Sequence, residues 1–274
     1  MSFPFSLAFL TTAEVPPAEA VKIAAAAGYD MVGLRLMPAA PTEPDYSILT
    51  DPAEQRDVLD ALTNTGIQLA DIEIVRLKPE TDVAQFRGFC DLGQKLGARN
   101  VLVAGDDTDH SRLTDTFAAF AALAAQFNLT ADLEFMPWTG VKTLNAARAI
   151  VEAAGQPNGG VLVDALHFDR SASTVEDLAA LPNQLIHYAQ LCDGPVPYDP
   201  SDAGLIDIAR GARLLPGDGG IDLKAMVKAL PMGTPLSIEI PQVERARTVP
   251  PLQRAQEALA AAKTVVAQAL AEAG

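Results

Sequence analysis

Apolar residues along this chain fall in short runs separated by stretches of helical composition. The runs are Phe5–Leu10, Tyr29–Leu36, Ile67–Leu77, Asn100–Ala104, Leu129–Phe135, Gly159–Asp164, Leu185–Cys192 and Pro235–Ile240, each read as a strand. Between and after them the composition predicts helices over Ala18–Ala27, Asp51–Thr65, Asp82–Leu96, Leu113–Phe127, Thr143–Ala154, Thr174–Leu181, Ile221–Leu230 and Leu252–Ala273. Pro16 and Pro17 suit a first helical turn, and Gly28 stands where a left-handed residue ends a helix. The stretch from Asp193 to about Gly220, rich in Gly, Pro and Asp, reads as a long loop of the kind that usually serves function.

The strands lack the polar–apolar alternation of a half-exposed sheet, so both of their faces are expected to be buried, as in parallel sheets. Strand and helix alternate eight times at a spacing of about 30 residues, the size of a βα unit. Eight such units predict an α/β fold, a (β/α)8 TIM barrel, as a single domain over residues 1–274. An open doubly wound sheet is the competitor, but no Gly-x-Gly-x-x-Gly follows the first strand. A barrel carries its active site at the C-terminal ends of its strands.

Four successive apolar runs present an oxygen there: Glu134, Asp164, Gln190 and Glu239. Carboxylates are seldom buried unless paired or bound to a cation, so their convergence suggests a divalent metal. Arg35, Glu73 and Arg76, from the second and third strands, are placed to line the same mouth. Arg35 and Glu73 either orient a substrate or pair with each other. Trp138 either walls the pocket or packs. His187 points, by strand alternation, away from Gln190 and is read as packing, His110 as solvent-exposed, and Asp222 as a helix cap.

The chain has 274 residues, 49% of them hydrophobic, with a net charge of −15 and no Lys/Arg run, which argues against a nucleic-acid partner. Two cysteines are too few for a disulfide framework. The N-terminus lacks the basic start of a signal peptide, and no apolar run approaches the roughly 20 residues that span a bilayer. A cytoplasmic protein without a membrane partner is expected, with the outer helices leaving room for a homo-oligomer.

Leu133-Glu134, Val163-Asp164 with His167 three residues on, Gln190-Leu-Cys-Asp193, Arg213-Leu-Leu-Pro-Gly-Asp-Gly-Gly-Ile-Asp222 and Ile238-Glu239 follow one another in order. This set resembles the xylose isomerase-like superfamily of sugar isomerases and epimerases, inosose and dehydroshikimate dehydratases, and endonuclease IV. The resemblance covers the barrel, with its distinctive motifs in residues 133–240. It implies that Glu134, Asp164, Gln190 and Glu239 are the metal ligands, a hard oxygen set suited to Mg²⁺ or Mn²⁺. His167 is implied as an acid, a base or a hydrogen-bond donor on the loop after the sixth strand, facing the substrate. Arg213 is implied as a clamp for a carboxylate or a polarised oxygen.

The implied reaction is proton transfer next to a carbonyl of a small carbohydrate or hydroxy-keto acid, through a metal-stabilised enediolate. Glu134 and Glu239 remove and return the proton in an isomerase or epimerase of a small sugar or sugar acid. The alternative is a metal-dependent dehydratase, a lyase of the 3-dehydroshikimate or inosose type. Many epimerases of the family carry histidine where Gln190 stands, and that departure points toward the dehydratase branch. Endonuclease IV-like hydrolysis needs several metals and many histidines, and this chain has three histidines. A non-catalytic binding barrel is expected to have lost a ligand, whereas all four positions are filled.

Overall fold

The structure, a computed structural model, describes residues 2–39, 43 and 45–272. Its eight strands are β1 (Phe5–Leu7), β2 (Met31–Arg35), β3 (Gln68–Leu77), β4 (Asn100–Gly105), β5 (Ala131–Glu134), β6 (Gly159–Asp164), β7 (Ala189–Leu191) and β8 (Leu236–Ile238). They pair in parallel in chain order, and β8 returns to β1 through Phe5 opposite Leu236 and Leu7 opposite Ile238. The closed (β/α)8 TIM barrel expected from the apolar rhythm is therefore the fold.

Around it lie α1 (Pro17–Ala27), α2 (Pro52–Thr65), α3 (Arg87–Leu96), α4 (His110–Ala125), α5 (Leu144–Ala154), α6 (Ala165–Asp169), α7 (Val175–Ala179), α8 (Asp202–Gly211), α9 (Leu223–Ala229), α10 (Val243–Ala246) and α11 (Pro251–Ala271). Local chemistry explains their limits. Pro17 opens α1, and Gly28 closes it at φ 89°, a conformation that costs glycine little. Asp51, Asp109 and Thr143 each accept a backbone N–H in the first turn of α2, α4 and α5, and Asp222 does the same for α9 as expected. No helix among the described residues is long and apolar enough to cross a membrane.

Several expected boundaries need correction. β1, β5, β7 and β8 are shorter than the apolar runs containing them. Phe9–Thr12 forms a 3-10 turn rather than extending β1, and Ile186 and Tyr188 are buried without joining β7. Apolarity reports burial, which continues past the last ladder hydrogen bond. The third helix begins as a separate 3-10 turn, Val83–Phe86. α4 starts at His110, so that residue lies in a helix, exposed as expected but hydrogen-bonded to Gly140 O at 2.8 Å. Ala273, the expected end of the last helix, lies outside the described residues.

The stretch from Asp193 to Gly220 is not all loop, because it contains α8. Ser201 caps that helix, and Leu205, Ile208 and Ala209 give it a buried face. Two apolar cores result. The larger fills the space between barrel and helices. A smaller cluster of Ile74, Leu102, Ala104, Met136, Leu162 and Tyr188 is separate from it and, by strand alternation, plugs part of the barrel interior. The remaining interior positions are polar: Ser6, Asp71, Asp132 and Ser237 are all buried. Gly33 is needed beside them, since a Cβ there would meet both carboxylate oxygens of Asp71 at 2.8 Å.

Candidate active site

The strand ends bring the expected oxygens together. Glu134 closes β5, Asp164 closes β6, Gln190 lies in β7 beside Asp164, and Glu239 follows β8. All four are buried. Gln190 Nε2 donates to Glu239 Oε1 at 3.1 Å, which leaves the buried Gln190 Oε1 without a hydrogen-bond partner among the described residues. Ligand atoms of Glu134, Asp164 and His167 lie within 4.8 Å of one another, close enough to share one cation.

His167 is not on a loop. Asp164 caps α6, accepting the His167 backbone N–H at 2.9 Å, and this one-turn helix turns the imidazole back toward the strand ends. His167 Nε2 lies 3.7 Å from Glu134 Oε1, and its buried Nδ1 lacks a partner among the described residues. Trp138 meets the ring edge-on, 5.0 Å between centroids at 84°, so it both packs and walls the site. Burial pushes the imidazole down to about 4; Asp164 opposes the shift and Arg213 adds to it. His167 is thus neutral at physiological pH, fit to ligate or hydrogen-bond but not to serve as a standing imidazolium acid.

Arg213 holds the two sides of the site together. Its Nη1 donates to Asp164 Oδ2 at 2.6 Å, its Nη2 lies 2.9 Å from Glu239 Oε2, and its Nε donates to Ala209 O at 2.9 Å. The expected clamp therefore grips the protein's own carboxylates rather than standing free for a substrate. Asp193 fastens the glycine-rich segment that carries it. Its carboxylate accepts the backbone N–H groups of Gly194, Gly217, Gly219 and Ile221, all at 2.8–3.0 Å. That organising role was missed in the sequence, although Asp193 ends one of the motifs and Gly217, Gly219 and Ile221 lie in another.

Arg35 and Glu73 form the mutual pair, 2.5 Å apart, with Glu43 holding the other end of the guanidinium at 2.8 Å. Arg76 forks onto Asp106 at 2.7 and 2.9 Å. His187 precedes the short β7, so strand alternation does not govern it. It does more than pack, because its Nδ1 sits 2.6 Å from Asp132 Oδ1. A cavity of about 360 Å³ opens at the strand ends, lined by Glu134, Glu239, His167, Trp138, Arg35, Arg76 and Arg213 among the expected residues. Asp164, Gln190 and Glu73 stand behind its wall.

Electrostatics test whether a cation fits. Asp71, Glu73, Glu134, Asp164 and Glu239 are buried carboxyl groups, offset by two buried guanidiniums, Arg35 and Arg213. Burial first, then Asp164 and Glu239, hold the Glu134 carboxyl well above its ordinary range. Glu239 is pushed up to about 7 by burial, with Arg213 pulling the other way. Asp164 is shifted down, because Arg213 and the His167 contacts outweigh its burial. Surplus carboxylates, a partnerless amide oxygen and a neutral imidazole are a donor set that a divalent cation fits.

Comparison with known proteins identifies the family and the fold. The chain is 30% identical over 159 residues to 3-dehydroshikimate dehydratase of Pseudomonas aeruginosa, covering 55% of this chain and 24% of that protein. It is 26% identical over 161 residues to inosose isomerase of Bacillus velezensis, covering 54% of each. The match thus spans about half or less of these relatives' own length. The fold superposes with TM-score 0.80 on the crystal structure of IolI protein with a bound zinc atom, at 19% identity, covering 97% of this chain and 99% of that one. A family profile described as xylose isomerase-like TIM barrel matches residues 21–265, and the chain belongs to that family.

Proposed function

We propose that this protein is a divalent-metal-dependent isomerase or epimerase of a small sugar or sugar acid, acting by proton transfer next to a carbonyl. The observation that carries the reading is the placement of the Glu134 and Glu239 carboxyl groups on one cavity, at the ends of different strands. Glu134 removes the proton and Glu239 returns it from the opposite side of the substrate. Arg213 keeps Glu239 oriented and sets its basicity. His167, neutral, holds a substrate hydroxyl, while Trp138 walls off water.

Glu134, Asp164, Gln190 and Glu239 would hold the metal, with His167 close enough to join them. When bound, it supplies Lewis-acid polarisation of the carbonyl beside the C–H that is broken. Oxygen donors favour Mg²⁺ or Mn²⁺, and an imidazole among them favours Mn²⁺ over Mg²⁺. The zinc in the IolI structure makes Zn²⁺ the third ion to try.

The second reading is a dehydratase of a cyclic hydroxy-ketone. It is favoured by the amide at Gln190 and by the Pseudomonas relative. The experiment strips metal with chelator, restores Mn²⁺, Mg²⁺ or Zn²⁺, and offers ketohexoses, inososes and 3-dehydroshikimate. An isomerised or epimerised product supports the first reading, and an aromatised product from dehydroshikimate supports the second. Retention of full activity by Glu134→Gln, or indifference to every metal, refutes the site.

A further inference from the structure

Four guanidiniums line the cavity: Arg35, Arg76, Arg210 and Arg213. Three already have carboxylate partners. Glu43 and Glu73 hold Arg35, Asp106 holds Arg76, and Asp164 and Glu239 hold Arg213. Arg210, in the last turn of α8, is exposed and makes no ion pair or side-chain hydrogen bond among the described residues. It also lines an adjoining groove of about 410 Å³, shaped by Leu10, Ala13, Pro241 and Val243. Arg247 on the same groove pairs, among the described residues, with Glu244 alone, and both side chains are largely exposed.

The cavity therefore has an electrical direction. Its inner wall carries the surplus carboxyl groups and favours a cation. Its outer lip carries the exposed Arg210 guanidinium, whose five donors meet no acceptor among the described residues. A neutral sugar gains only ordinary hydrogen bonds at that lip, whereas an anion gains charge-assisted ones. An uncommitted arginine at a cavity mouth is suited to a planar carboxylate or a phosphate, either of which it can engage through two N–H groups at once.

We propose that the substrate of this site carries an anionic group, a carboxylate or a phosphate, at the end away from Glu134, and that Arg210 binds it. This rests on the reading of the cavity as a substrate site and narrows the substrate to acidic or phosphorylated sugars and hydroxy-keto acids. Because Arg210 is exposed, the expected gain is modest, roughly tenfold in affinity at low salt, and it shrinks as salt rises.

The test is calorimetric titration of the whole protein with matched pairs, gluconate against sorbitol and fructose 6-phosphate against fructose. One anion of the two is expected to bind roughly tenfold tighter than its neutral partner. That ratio should fall toward one in Arg210→Gln and recover in part in Arg210→Lys. Whichever pair shows the ratio distinguishes carboxylate from phosphate. A ratio near one for both pairs in the wild type overturns the proposal. So does failure of both anions to bind at millimolar concentration, or a ratio that survives Arg210→Gln. Turnover separates the two claims. Anion preference without any proton transfer leaves the subsite and removes the isomerase reading, while turnover of a neutral ketose without anion preference does the reverse.

Discussion

Arg213→Met removes the guanidinium between Asp164 and Glu239 while keeping most of the alkyl stem. The lost contacts are 2.6 Å and 2.9 Å long, and the arginine side chain is 2% exposed, so solvent cannot replace it. Removing one partner of a buried ion pair costs about 3–5 kcal/mol, because the remaining charge stays buried. Two carboxylates depend on this arginine, yet Glu239 has an escape. Its carboxyl already sits at about 7 with Arg213 present, so without it the group takes up a proton. The penalty should therefore lie near the lower bound, about 3 kcal/mol, in metal-free protein at pH 8.

The pH dependence has a definite sign. A carboxyl raised above its unfolded value binds a proton in the folded state that the unfolded chain lacks. Its contribution is fully present below the unfolded value and is lost as pH rises through the folded one. Arg213→Met raises that folded value further, so the gap to wild type should narrow between pH 8 and pH 6. Urea denaturation followed by far-ultraviolet circular dichroism, in chelator at both pH values, measures it. A gap below about 1 kcal/mol at pH 8, the size of an ordinary surface change, refutes the reasoning. A gap that widens on acidification refutes it too.

The His187–Asp132 pair works at the same pH range. Burial lowers the His187 value, but the hydrogen bond and charge of Asp132 outweigh it and leave it raised. Its stabilisation should be complete below about pH 6.5, the ordinary histidine value, and fade as pH climbs through the raised one. An NMR titration placing His187 below the ordinary histidine range contradicts this. Asp193→Ala should speed hydrogen exchange at the amides of Gly217, Gly219 and Ile221, which the carboxylate now accepts. Unchanged exchange there would show that the segment carrying Arg213 holds its shape without Asp193.

Within the chain, different features were legible to different depths. The barrel was readable because parallel strands buried on both faces become continuous apolar runs, each followed by helical composition and a capping residue. Strand ends were not, since Phe9, Ile186 and Tyr188 are buried beyond the ladder and look like strand in sequence. α8 was obscured by the Gly, Pro and Asp around it, which outweighed the short apolar face of Leu205, Ile208 and Ala209.

The sequence by itself determined the kind of residue at each strand end, and with eight repeated βα units that was enough to bring Glu134, Asp164, Gln190 and Glu239 to one mouth. A parallel barrel places like positions of successive strands side by side, so position along the repeat becomes position in space. Only the tertiary structure decided the partners. Arg213 reaches Asp164 across 49 positions of chain, Arg35 is taken by Glu73 and Glu43, and Arg210 is left exposed without an ion pair among the described residues. Each of those outcomes depends on the path of a loop and on which carboxylate lies within hydrogen-bonding distance, a geometric quantity that no repeat or spacing encodes.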